Sequence, residues 1–189
     1  MSEPGKAAPY VPSRGEVIRL HIGGWQVRDG WKILNAQPGP GIDFVGNAKD
    51  LSALADASVT EIYASHVYEH LDYLAEMPKA LDEARRVLKP GGLIRIGVPD
   101  MAVLARFLIE PKQDPQVLFD VMRMIYGGHV DEWDYHYSGY TFDLLGQLLF
   151  EAGFQHIRRV ERFGLFDDTT DLVYMNKRIS LNVQALKPG

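Results

Sequence analysis

Residues 74–98 constrain the fold more than any other stretch of the chain. Leu74, Met77, Leu81, Ala84 and Leu88 recur at alternating spacings of three and four, the apolar stripe of an amphipathic helix. Asp82 and Arg86 form an i,i+4 pair on its outer side. Pro78 is tolerated in the first turn, where its missing N–H is not needed. Lys89-Pro90-Gly91-Gly92 stops the helix, and Leu93–Val98 (LIRIGV) follows at once. That run is nearly all apolar, as a strand covered on both faces should be. A helix that feeds directly into such a strand is half of a parallel crossover, which sets the expectation of an α/β sheet.

The rest of the chain fits the same scheme. Glu16–Ile22 is a β-branched-rich run stopped by Gly23-Gly24, and Trp31–Asn35 is a second short run ended by the turn-rich segment 37–41. Ile42–Val45 and Val59–Ser65 read as two more strands. Helices are expected at 101–110 and at 115–126, the second closed by Gly127-Gly128. Thr141 is a good N-cap for Phe142–Ala152, where Leu144, Leu145, Leu148 and Leu149 form the buried face and Gly153 ends the helix. His156–Glu161 reads as a strand. Ile179, Leu181, Val183 and Ala185 alternate with polar residues, which suits a last, antiparallel edge strand. Only Trp25–Lys32 lies between the first two strands, too short for a crossover helix. Residues 1–15, with three prolines and two glycines, read as a flexible lead-in, leaving 16–189 as one domain.

Composition narrows the chemistry. The 189 residues contain no cysteine, which excludes disulfides, thiolate metal sites, iron–sulfur clusters and a cysteine nucleophile. That absence suits a cytoplasmic address. Twenty Lys and Arg stand against 25 Asp and Glu, a net charge of −5 that argues against nucleic acid as a partner. No apolar run approaches the length of a membrane helix, so no membrane partner is expected. The oligomeric state leaves no mark in the sequence.

In an open α/β sheet, ligands bind beyond the carboxyl ends of the strands. The residues placed there are Gly23, Gly24, Asn35, Asn47, Ser65, His66, Pro99 and Asp100. His66-Val67-Tyr68-Glu69-His70 also spells H-x-x-E-H, the inverted zinc-hydrolase pattern. Such a site needs a sustained helix and a third ligand, whereas this motif follows a strand immediately. His129, Asp131, Glu132, Asp134, His136 and Tyr137 crowd one loop. Its plain reading is a solvated acidic loop. Its functional reading is a source of a general base, with His136 the first candidate and His66 the second. Arg158, Arg159 and Arg162 read as a solvated strand face.

Several blocks together resemble a known family. These are Leu20-His21-Ile22-Gly23-Gly24, Gly30-Trp31, Ile62 through Leu71 (IYASHVYEHL), and Ala84 through Gly92 (ARRVLKPGG). Tyr140-Thr141 before the segment Phe142–Phe154 adds to them. The chain resembles class I S-adenosylmethionine-dependent methyltransferases, and most of all the small bacterial type 11-like proteins, over residues 16–187. The resemblance implies a Rossmann-like open twisted sheet, mostly parallel, with an antiparallel C-terminal edge strand and, here, shortened early crossovers.

It also implies S-adenosylmethionine as cofactor, with S-adenosylhomocysteine as product. Gly23 and Gly24 would admit the methionine part, and Ser65 and His66 would also bind the cofactor, His66 near its reactive end. Asn35 stands where the family places an acidic residue for the ribose hydroxyls. Asn47, followed by Ala48, stands where another receives the adenine amino group. Glu69 and His70 become helix-start and packing residues, with no metal ligand assigned. The implied function is methyl transfer to a small-molecule or sugar-like acceptor. Two other readings stand beside it. The paired amides and the altered glycine loop point to a cofactor-free binding or assembly module, and H-x-x-E-H points to a zinc hydrolase.

Overall fold

The computed structural model describes residues 9–13 and 16–189. Seven strands form one sheet in the order β3-β2-β1-β4-β5-β9-β6. They are β1 (Ile18–Ile22), β2 (Trp31–Asn35), β3 (Phe44–Val45), β4 (Val59–Ser65), β5 (Leu88–Pro99), β6 (Gln155–Val160) and β9 (Ser180–Leu186). The first five run parallel, and the order reverses between β1 and β4. The antiparallel C-terminal strand is present and lies one place in from the edge: β9 pairs with β5 on one side and β6 on the other. The hairpin β7 (Val173–Tyr174) and β8 (Lys177–Arg178), turned by Met175 and Asn176 at positive φ, gave no recognisable sequence signal.

The helices are α1 (Glu76–Val87), α2 (Met101–Ile109), α3 (Pro115–Tyr126) and α4 (Phe142–Glu151). The apolar stripe of α1 buries Met77, Leu81 and Ala84, as the periodicity predicts. Its helix begins later than the stripe, however. Asp72 Oδ1 accepts from the Leu74 and Ala75 N–H groups, which leaves Leu74 exposed before the first turn. At the other end Leu88 already belongs to β5, and Lys89-Pro90-Gly91-Gly92 runs within that strand as an irregularity, with Gly91 at φ +74. Among the described residues no helix is long and apolar enough to cross a membrane.

Of the segment read as a lead-in, residues 9–13 are docked, and the others lie outside the described residues. Tyr10 N donates to Ala53 O at 2.7 Å, Ala55 N donates to Tyr10 O at 3.1 Å, and the ring packs edge-on against Phe44. A short bridge to the 53–55 turn therefore overrides the proline-rich composition.

The shortened crossovers are real: no helix joins β1 to β2, β2 to β3 or β3 to β4. One sheet face, carrying Leu20, Ile22, Leu34, Ile62 and Ala64, is still covered and forms the main core with α1 and α4. The opposite face, carrying His21, Trp31 and Tyr63, has no crossover helix. It is closed by the chain between β6 and β7. Phe166 enters a cluster with His21, Trp31 and Tyr63 at ring separations of 4.1, 5.2 and 5.1 Å. Gln26 Nε2 donates to Asp167 O at 2.8 Å, the Arg28 guanidinium donates to Leu165 O, and Tyr63 Oη donates to Asp168 Oδ2 at 2.7 Å. A short 3₁₀ turn, Thr169–Asp171, then lies against β5 at Gly97, where a Cβ would come within 2.4 Å of Thr170 Cγ2.

This cover generates two predictions. Phe166→Ala removes the centre of the aromatic cluster and should cost about 3 kcal/mol in urea unfolding. Val173→Ala in the exposed hairpin should cost less than about 0.5 kcal/mol. Burial also drives the His21 imidazole down to about 4 from its ordinary 6.5. The unfolded chain then binds more protons between those values, so stability rises with pH across that window. Denaturant titrations should show about 3 kcal/mol lost as pH falls from 6.5 to 4. His21→Leu should flatten that part of the profile.

Candidate functional site

A cavity of about 540 Å³ opens at the carboxyl ends of β1 to β4, beside the point where strand order reverses. Ile22 and Gly23 line it from β1, Leu34 and Asn35 from β2, Gly46, Asn47 and Ala48 from the turn after β3, and His66 and Val67 from the end of β4. The 129–137 loop closes the other side with Trp133, Tyr135 and Tyr137, and Trp25 adds a third aromatic wall. Its charged lining is mostly acidic: Asp131, Glu132 and Glu76, the last ion-paired with Lys49.

The glycines after β1 are required by the protein itself. Gly23 sits at φ +76 with Val67 Cγ2 2.5 Å from where its Cβ would be, and a Cβ on Gly24 would strike the His21 ring. Asn35, almost fully buried, holds the same loop: Nδ2 donates to Gly24 O at 3.0 Å and Oδ1 accepts from Gln37 N at 2.9 Å. Asn47 Oδ1 accepts from Lys49 N at 3.2 Å, and its Nδ2 bonds no described residue.

A second cavity of about 420 Å³ lies alongside, and His66 and His70 line both. Its walls mix Asp120, Arg123, Asp134 and His136 with Met124, Leu172 and Ile179. H-x-x-E-H stands at this junction but does not form a sustained helix: only Tyr68–His70 make a 3₁₀ turn. His66, just before it, adopts φ +52, rare for a residue with a side chain, and is held by its N–H to Gly97 O at 2.8 Å. That conformation sets the His66 ring between Ser180 and Glu69. Its Nε2 lies 2.9 Å from Ser180 Oγ, which itself donates to Thr169 O, and its Nδ1 lies 3.0 Å from Glu69 Oε1.

Glu69 is fully buried beneath the junction. Burial opposes its charge, yet the three imidazoles of His66, His70 and His136 around it hold its carboxyl below the usual carboxylate range. The loop is strapped over it: Tyr137 N and Ser138 N both donate to the Glu69 carbonyl, at 2.8 and 3.2 Å. His70 Nδ1 meets Tyr135 O at 3.0 Å, and His136 Nδ1 meets Ile125 O at 3.2 Å. Carbonyls only accept, so each Nδ1 carries a hydrogen, which in the neutral tautomer leaves the lone pair on Nε2. Burial pushes the His136 imidazole below its ordinary value, so it is neutral near pH 7.

Among the residues picked out by sequence, Gly23, Asn35, Asn47, Ala48 and His66 meet around the first cavity. Gly24 and Ser65 do not line it. His136 joins His66 and Pro99 around the second. Asp100 is buried as the N-cap of α2 and pairs with Arg159 at 2.5 Å, so one member of the basic cluster serves the core. The 129–137 segment is more than a solvated loop. Gly127, at φ +90, has Asp134 O 2.1 Å from its missing Cβ, and His129 stacks on Tyr135. Glu69 and His70, which the sequence assigned to a helix start and to packing, stand in the 3₁₀ turn with Glu69 buried.

Comparison with known proteins agrees with this layout. Residues 5–96 match the family of methyltransferase domains. No protein of curated function is detected as a relative by sequence. Solved structures share the fold at low identity. A SAM-dependent methyltransferase from Archaeoglobus fulgidus superposes with a TM-score of 0.55 at 18% identity, over 92% of this chain and 87% of that one. The 1,6-didemethyltoxoflavin-N1-methyltransferase of Burkholderia thailandensis, solved with 1,6-didemethyltoxoflavin and S-adenosylhomocysteine, gives 0.56 at 15% identity, over 91% and 71%. A possible exported protein of Bordetella parapertussis gives 0.55 at 13% identity over 92% of this chain, which spans 62% of that longer one. The family match across its first strands and the sheet order around the cavity make the chain similar to the class I S-adenosylmethionine-dependent methyltransferases.

Proposed function

We propose that the chain transfers the methyl group of S-adenosylmethionine to a small, polar acceptor, with a saccharide-type hydroxyl favoured. The observation that carries this reading is the pair of adjoining cavities sharing His66 and His70. The first has a size typical of ligand sites and lies where this fold binds its cofactor. The second has the mixed polar and apolar lining that a hydroxyl-bearing small molecule needs, without the excess of basic groups that nucleic acid would call for. The toxoflavin-precursor enzyme, which shares the fold, also acts on a small molecule. A cytoplasmic setting suits the cysteine-free composition.

The donor set fits the cofactor with weakened polar contacts. An amide oxygen has two lone pairs and an amide nitrogen two hydrogens. Asn35 therefore keeps one of each for ribose hydroxyls after holding Gly24 and Gln37. Asn47 keeps a lone pair and its whole NH₂ for the adenine edge. Trp25, Trp133 and Tyr135 offer ring faces, and the acidic lining suits a cationic ligand. When bound, the cofactor supplies a methyl group already activated on a sulfonium.

The protein's own work is then positioning and proton management. Ser180 and Glu69 occupy the His66 ring at both nitrogens, so it serves to orient. His136 retains a lone pair, and its depressed imidazole stays neutral, so it is the group that meets the acceptor's proton. The strap from Glu69 O to Tyr137 and Ser138 holds the loop across the junction and limits water there.

The rival reading, a cofactor-free binding module, is favoured by one fact: the Asn35 amide is already committed to backbone. Calorimetric titration with S-adenosylhomocysteine separates the two. Binding tighter than about 1 mM is expected, a threshold near −4 kcal/mol, and no binding there would overturn the enzyme reading. Asn47→Asp should tighten binding several-fold, because a charge-assisted bond is about twice as strong as a neutral one. Asn35→Asp should instead cost about 1–3 kcal/mol of stability, because a carboxylate would face the Gly24 carbonyl. Once an acceptor is found, His136→Gln should lower turnover roughly 10²-fold or more while leaving cofactor affinity intact.

A further inference from the structure

We infer that Glu69, His70 and His136 form a binding site for a zinc-type divalent cation at the junction of the two cavities. One ligand-capable atom from each of the three lies within 4.8 Å of the others. The sequence offered two histidines in H-x-x-E-H and no third ligand. The fold replaces His66, which is turned onto Ser180, and brings His136 from the distant loop.

Three features make the cluster a built site. First, both imidazoles are fixed by carbonyls, His70 by Tyr135 O and His136 by Ile125 O. That is the outer-shell arrangement that orients a metal-binding histidine, with its hydrogen on Nδ1 and its lone pair free on Nε2. Second, Glu69 is fully buried, and among the described residues neither of its carboxylate oxygens has a directed hydrogen bond. Its close charged contact is His66 Nδ1 at 3.0 Å, on one oxygen alone. A buried carboxylate left in that state is costly unless a cation or hydrogen-bond donors compensate it. Third, the two ligand-bearing segments are tied to each other by the Tyr137 and Ser138 N–H groups on Glu69 O, so the spacing is held by backbone.

The donor set chooses the cation. Magnesium and calcium take oxygen ligands, whereas two imidazoles and a carboxylate are the set of a catalytic zinc centre that keeps a position open. His70 and His136 both line the second cavity, so an open position there would take the heteroatom of an acceptor. This deepens the methyl-transfer reading and rests on it for its role: the cation would stabilise the alkoxide form of a coordinated hydroxyl, whose proton passes to solvent water, and His136 would act through the cation instead of as a free base. The binding claim itself is tested without turnover.

The full-length chain, stripped with chelator and dialysed, is titrated with ZnCl₂ by calorimetry, and its bound zinc is then counted by elemental analysis. One zinc per chain is expected, with affinity at least about tenfold weaker in His70→Gln and in His136→Gln. No binding at about 100 μM free zinc, roughly a 5–6 kcal/mol threshold, overturns the inference. So does stoichiometric zinc that both variants retain, which would place it on other histidines. Should a variant fail to fold by circular dichroism, Co²⁺-loaded wild type decides: intense visible bands of a low-coordinate site support the assignment, and the weak bands of an octahedral aquo-type ion overturn it. S-adenosylhomocysteine binding is measured on the same samples. Cofactor binding without zinc binding removes this inference alone, and zinc binding without cofactor binding removes the methyl-transfer reading alone.

Discussion

The connection between β1 and β2 is too short for a crossover helix, and the chain's later course follows from that. Residues 23–30 cannot hold a helix and still bring Trp31 into register with Arg19, so the sheet face behind His21, Trp31 and Tyr63 has no crossover cover. Leaving those rings in water would forfeit much of the burial that stabilises a domain of this size. The chain answers by returning after β6 and laying Phe166 onto them, fastened by Gln26, Arg28 and Tyr63. Segments at opposite ends of the sequence thereby become one unit, and the 3₁₀ turn that follows reaches β5 and Ser180.

The reach of that unit links stability to the site. Thr169 O, at the turn, accepts from Ser180 Oγ; Ser180 Oγ meets His66; and His66 meets Glu69. The His66 ring is therefore oriented by the same segment that replaces the missing helices. Its left-handed backbone, an uncommon conformation for a histidine, is the strain that this chain of contacts sustains. From Glu69 outward the loop at 129–137 is fixed in turn, and it forms the wall shared by the two cavities. A trimmed fold has thus kept a rigid site by using tertiary contacts in place of secondary structure.

Much of the architecture was legible because it rests on local physics. The stripe from Met77 to Ala84, the asparagines and glycines after the strands, and the Thr141 cap all follow from periodicity or from backbone valence within a few residues. The site was half legible. Strand ends mark the first cavity, so Gly23, Asn35, Asn47 and His66 were found by their place in the chain. Their exact duties were not: the glycines clear Val67 and His21, and Asn35 holds its own loop. The docking of Tyr10 on the 53–55 turn escaped for the same reason, since a proline-rich composition carries no record of a distant partner.

An acidic, cysteine-free α/β chain, a helix feeding a doubly buried strand, early crossovers too short for helices and candidate ligands at the strand ends can all be read from residue order. Those features depend on residue type and on spacings of a few positions, which a linear string preserves. The meeting of His136 with Glu69 and His70, the contact of His66 with Ser180 and the closure of the bare sheet face by Phe166 come from packing instead. Each of these pairs residues far apart along the chain, and the register that joins them is set by the whole packed sheet.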